Sequence, residues 1–191
     1  MTAHRRIGPA LLALVALVVY ATTSASVPAE VTLVPIKFAD FKARLAKNPN
    51  KVKYTIVDAW ASNCAPCKEN FPHLVTMHSK YASKGLEVVS LSLDDHDDSR
   101  ALQSARDFLK VKQATFTNFY IDEEFGAGFE HLGIGAIPAV FLYGPDGKEL
   151  RRFTMEDPDN QFTYDDVDEA VKALLDGKPL PPEKTAKSRG K

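Results

Sequence analysis

Tyr54-Thr55-Ile56-Val57-Asp58-Ala59-Trp60-Ala61-Ser62-Asn63-Cys64-Ala65-Pro66-Cys67 decides the reading of this chain. A β-branched, largely apolar run of the kind that makes a buried central strand ends in a Cys-x-x-Cys pair. Beyond it, Phe71, Leu74, Val75 and Met77 give the segment from Pro66 to Ser83 a helical spacing. A dithiol placed where a strand gives way to a helix is suited to opening and closing a disulfide. Cys64 and Cys67 are the only two cysteines in the 191 residues.

The chemistry follows from that placement. At a helix start, Cys64 meets unpaired backbone N–H groups and the positive end of the helix dipole, which favour a thiolate and lower its pKa. The i, i+3 spacing turns Cys67 back onto the same face, within disulfide reach, and Pro66 is tolerated in a first turn. Cys64 is thus the expected nucleophile, forming a mixed disulfide, and Cys67 the more buried resolving residue. Asp58, in an otherwise apolar strand, is expected to have a raised pKa and to accept the Cys67 proton through water, unless the strand edge is solvated. Lys68 either raises the potential near the thiolate or is a solvated helix lysine.

Composition narrows the alternatives. With 45% hydrophobic residues the chain can bury a proper core as one domain. A net charge of −1, with both signs scattered, offers no field for nucleic acid. His4, Arg5 and Arg6 precede the apolar stretch Ala10 to Ala21, with small polar residues after it, so residues 1–25 read as a secretory signal peptide, with Ala21 and Ala25 as cleavage points, or as a retained membrane anchor. The domain is then expected outside the cytoplasm, periplasmic or secreted. That compartment permits a structural disulfide. Yet a bridge closing four residues restricts the unfolded chain by roughly 2 kcal/mol, against about 4.7 for a 100-residue loop, so as a staple it would do little.

From residue 30 the elements alternate. Val31 to Lys37 reads as a strand and Phe38 to Ala46 as a helix, followed by a break at Asn48-Pro49-Asn50. Lys53 to Trp60 is a strand, and the helix after the cysteines ends at Gly85. Leu86 to Leu93 is a second central strand, Ser99 to Lys112 a helix opened by Ser99, Phe116 to Ile121 a strand and Glu123 to Leu132 a short helix. Ala139 to Tyr143 and Glu149 to Phe153 flank the turn Gly144-Pro145-Asp146-Gly147 as a hairpin, and Thr163 to Leu175 is a last helix. The plan is α/β with a mixed central sheet over residues 26–177, and 178–191 is a Pro- and Lys-rich tail expected to be disordered.

An acid six residues before the first cysteine (Asp58), a Trp four before it (Trp60), a Pro five after the second (Pro72) and Ala136-Ile137-Pro138 before the hairpin together resemble the thioredoxin superfamily. The extra helix and strand between Ser99 and Ile121, with export, resemble its TlpA-like branch of extracytoplasmic thiol-disulfide oxidoreductases. The resemblance implies a thioredoxin-like fold, a central mixed β-sheet flanked by helices with a helix-strand insertion before a cis-proline hairpin. It implies a cis Pro138, rather than an ordinary trans loop proline, with Ile137 pairing its backbone to a substrate strand. Trp60 falls in the same region, under the active-site loop beside the substrate or as a plain core aromatic. It further implies protein disulfide or dithiol substrates, no cofactor, and a reducing direction supplied by a membrane-associated electron donor. Asn63 and Ala65 stand where thioredoxin carries an aromatic residue and a glycine.

No metal site is expected. His73 and His78, at i, i+5, lie about 140° apart on a helix, and Cys67 is too near His73 to bend back. Asp94-Asp95-His96-Asp97-Asp98 lacks the glycine and spacing of a calcium loop and reads as a solvated loop. Two other classes stay open: a non-enzymatic carrier that uses the thiols for copper, needing a third soft or imidazole ligand nearby, and a redox-inert interaction domain whose bridge never turns over. Nothing in the sequence bears on oligomeric state.

Overall fold

The structure, a computed structural model, describes residues 30–158 and 161–183. Its elements in chain order are β1 (Val34–Ile36), α1 (Phe38–Lys47), β2 (Tyr54–Trp60), α2 (Ala65–Tyr81) with a 3-10 turn at Ala82–Lys84, β3 (Leu86–Ser92), α3 (Ser99–Val111), β4 (Thr117–Ile121), α4 (Ala127–Leu132), β5 (Ala139–Tyr143), β6 (Glu149–Phe153) and α5 (Tyr164–Leu175). They form one six-stranded sheet in the order β1-β4-β3-β2-β5-β6. The first four are parallel, β5 is antiparallel to β2, and β6 is antiparallel to β5. The α3–β4 insertion therefore places a strand between β1 and β3.

The apolar run of β2 is buried from Thr55 onward because helices cover both faces of the sheet. Alternation along the strand divides its side chains. Ile56 and Trp60 join the core beneath α2, α3 and α5, while Val57 and Ala59 join the core with Phe41 of α1 and Leu132 of α4. By the same period, Asp58 falls on the α2 side. In α2, Cys67, Phe71, Leu74, Met77 and Tyr81 recur on one stripe and are all buried, which fixes the helix on the sheet.

Several boundaries differ from expectation for local reasons. β1 is confined to Val34–Ile36, where its register with Phe119–Ile121 of β4 exists. α3 is capped by Asp98 rather than Ser99, its Oδ1 accepting the N–H groups of Arg100 and Ala101. α4 begins at Ala127, not Glu123. Glu123 instead accepts the Phe38 N–H at the start of α1 (2.6 Å) and approaches His131 (2.8 Å), holding residues 122–126 out of a helix. α5 starts with a capping box between Thr163 and Asp166.

Within the stretch 178–191 assigned to the tail, Leu180 packs against the main core and Glu183 approaches Arg151 at 3.9 Å. Residues 184–191, and the segment 1–25 assigned to a signal peptide or anchor, lie outside the described residues. Among the described residues no helix is long and apolar enough to cross a membrane.

Candidate active site

Cys64 is the N-cap of α2. Its backbone is extended (φ −84°, ψ 102°), and its Sγ accepts the Cys67 N–H at 3.2 Å. A helix leaves its first N–H groups without intrahelical partners, and here the sulfur takes one of them. Cys64 and Cys67 are joined as a disulfide with Cα atoms 5.3 Å apart. Cys67 is 1% exposed, whereas Cys64 is half-buried among exposed Asn63, Ala65 and Pro66. An incoming macromolecule meets only the first sulfur.

The second wall of the site comes from β5. Ala139 pairs with Ala59 of β2, and this register carries the preceding residues to the active-site loop. Ile137–Pro138 is cis, and the Ile137 carbonyl oxygen lies 3.9 Å from Cys64 Sγ. A disulfide sulfur bears no proton, so this is a van der Waals approach. Pro138 is itself buried, so the reachable part of the loop is Gly135, Ala136 and Ile137.

Asp58 is 1% exposed in a central strand, opposite Ser90 and Val140, which removes the solvated-edge alternative. Burial lifts its pKa to about 7, and a hydrogen bond from the Tyr164 phenol (2.6 Å to Oδ2) pulls partly back. Oδ1 is buried with no protein hydrogen-bond partner among the described residues. Trp60, grouped by sequence with the substrate-contacting residues, is fully buried between Phe71 and Phe108, with both ring centroids at 5.3 Å. Its ring is enclosed as a core aromatic, the second of the two readings.

Asp94 also departs from the sequence reading. Far from being solvated, it is 7% exposed, and its carboxylate accepts the Ser62 N–H (3.0 Å), the Ser62 hydroxyl (2.7 Å) and the Ser92 hydroxyl (2.7 Å). His73 stacks on Tyr164 and His78 packs against Phe116, so the two histidines diverge as the helical angle requires. Among the described residues, the potential metal-ligand grouping is Asp95, His96 and Asp97, which includes neither sulfur.

Sequence reasoning missed Asp94, Ser62 and Tyr164. Tyr164 carries no local signal, since only tertiary packing brings it to a partner 106 positions away. The Thr163–Asp166 capping box marks the helix start that orients it, and it was legible as a motif but not as a site.

A sequence profile described as Thioredoxin-like matches residues 50–149, more than half of the chain and including both cysteines and the Ile137–Pro138 loop. The protein belongs to the thioredoxin-like family. Within it, the chain is 27% identical over 112 residues to the thiol-disulfide oxidoreductase ResA of Bacillus thuringiensis subsp. konkukian, covering 59% of this chain and 61% of that protein. It is 29% identical over 100 residues to the sporulation thiol-disulfide oxidoreductase A of Bacillus subtilis, covering 52% and 58%. The chain thus spans about three fifths of the length of the curated relatives it matches. The thioredoxin domain of a thiol-disulfide oxidoreductase from Bacteroides vulgatus superposes with a TM-score of 0.54 at 20% identity, over 67% of this chain and 83% of that one, and shares the fold.

Proposed function

We propose that this thioredoxin-like protein is a thiol-disulfide oxidoreductase that exchanges its Cys64–Cys67 pair with protein substrates outside the cytoplasm, chiefly as a reductase. The observation that carries the reading is the asymmetry of the two sulfurs. One is reachable, held at a helix start by a backbone N–H and flanked by a backbone carbonyl, and the other is sealed beneath it.

In the reducing direction the Cys64 thiolate attacks one sulfur of a substrate disulfide. The Cys64–substrate bond forms as the substrate S–S bond breaks, and the departing substrate sulfur takes up a proton. Cys67 then gives its proton to Asp58 through water and attacks Cys64 Sγ. The second substrate sulfur leaves as a thiol, two electrons have passed to the substrate, and the protein is left in the disulfide form of this structure. Asp58, ionising near neutrality, supports the role of base. The Ile137 backbone, whose carbonyl lies beside Cys64 Sγ, is the part against which a substrate strand pairs. A membrane-associated donor returns two electrons, and the signal-like segment 1–25 directs export.

The test is reduction of a protein disulfide such as that of insulin by the purified protein, with trapping of partners by Cys67→Ala. Turnover and trapped mixed disulfides are expected. A bridge that resists mild reductant would mean a structural disulfide, and tight copper binding without turnover would mean a carrier. Fusing residues 1–29 to a reporter that is active only outside the cytoplasm tests export.

A further inference from the structure

We propose that Tyr164 is a positioning residue for Asp58: its phenol holds Oδ2 and leaves Oδ1 as the oxygen that takes the Cys67 proton. This rests on the reading of Asp58 as the base in the exchange reaction.

Both groups are buried, Asp58 at 1% and Tyr164 at 2% exposure, and their 2.6 Å hydrogen bond joins β2 to the first residue of α5. The phenol is fixed independently of the carboxylate. Its ring lies between Phe162 (5.6 Å) and the stacked His73 of α2 (5.5 Å), and the Thr163–Asp166 capping box sets the helix start that carries it. A donor placed so rigidly makes the two carboxylate oxygens inequivalent. Oδ2 is engaged, while Oδ1 is buried with no protein partner among the described residues, an arrangement that costs folding free energy and leaves that oxygen open to a proton.

Tyr164 comes from α5, and His73 lies beyond the phenol; the strand neighbours are Ser90 and Val140, of which Ser90 donates to Asn118, and Cys67 is buried on the same side of the sheet. Burial and the neighbouring carboxylate both raise the phenol's pKa, so Tyr164 keeps its proton and donates without relaying. Its hydrogen bond counters the burial that raises Asp58, which keeps the base able to ionise near neutrality. In the step itself the Cys67 S–H proton passes through water to Oδ1 while the sulfur's electron pair forms the bond to Cys64 Sγ. The Cys64–substrate bond breaks, and its electrons leave with the substrate sulfur.

The experiment measures insulin-reduction turnover from pH 5 to 9 for the wild type, Tyr164→Phe, Asp58→Asn and the double variant, together with the 13C titration of the Asp58 carboxyl in the oxidised protein. Tyr164→Phe is expected to move both the acidic limb and the carboxyl midpoint up by about one to two pH units. Asp58→Asn should leave only the limb of the Cys64 thiolate, whose midpoint iodoacetamide alkylation reads separately, and the double variant should match Asp58→Asn, as required if Tyr164 acts through Asp58. A carboxyl midpoint unmoved in Tyr164→Phe, with the Asp58-dependent limb still lost in Asp58→Asn, overturns the positioning role alone. An acidic limb in Asp58→Asn unchanged from the wild type overturns the base reading beneath it. The NMR midpoint is read without turnover, so a slow Tyr164→Phe enzyme still decides the matter.

Discussion

Asp94 holds Ser62 by its backbone and its side chain at once, accepting the Ser62 N–H with both carboxylate oxygens at 3.0 Å and the Ser62 hydroxyl at 2.7 Å. The acid lies just past β3 and the serine two residues before the nucleophile, so the pair ties the active-site loop to the adjacent parallel strand. Replacing Asp94 with Ala orphans a backbone N–H and two hydroxyls. A loss of about 1–3 kcal/mol in urea unfolding is expected, with faster hydrogen exchange at Ser62 and reduced turnover. Unchanged exchange at Ser62 would show that the loop stands without this tie.

The two cysteines are expected to behave unequally in the reduced protein. With the Cys67 N–H aimed at it, Cys64 should be alkylated by iodoacetamide at a pH well below the usual thiol range of about 8.5, and Cys67 should be protected. Mass spectrometry of the labelled protein across pH reads both rates. Equal labelling would contradict the geometry of the helix start.

Asp58 links stability to pH with a definite sign. Its carboxyl ordinarily titrates near 3.8 but in the fold near 7, so between those values the native state holds a proton that the unfolded chain releases. The contribution is favourable at low pH and is lost as pH rises through the window. Asp58→Asn, which keeps an acceptor for the Tyr164 phenol, should therefore be more stable than the wild type at pH 8 by a few kcal/mol, with about 4 as the ceiling, and nearly equal at pH 4. Paired denaturation curves at the two pH values check it, and a difference that does not change with pH would refute it.

The β5–β6 turn carries a steric prediction. Gly147 has φ +73°, and a Cβ there would stand 2.6 Å from the Ala46 nitrogen and 2.8 Å from the Leu45 carbonyl carbon, both in the backbone of α1. Gly147→Ala must strain the turn or push the helix away, and a loss of about 2–4 kcal/mol, read as a lower melting temperature, is expected. The sulfur chemistry lies elsewhere, so activity per folded molecule should persist.

Much of this was legible in one dimension. The buried run of β2, the Cys-x-x-Cys at the start of α2, the hairpin turn and the order of elements each follow from local periodicity or turn chemistry. Glu123 was misread, and the two readings of Trp60 stayed open, because their roles depend on what packs over them. Glu123 caps a helix 85 residues away, and Trp60 is enclosed by Phe71 and Phe108.

By itself the sequence determined where two sulfurs sit relative to a strand end and a helix start, since such features depend on neighbours a few residues apart. Only tertiary structure decided which carboxylates are buried and who holds them: Asp58 by Tyr164, Asp94 by Ser62 and Ser92. The physical reason is that burial and hydrogen bonding set a carboxylate's role, and both are supplied by residues that the folded sheet brings together from distant parts of the chain.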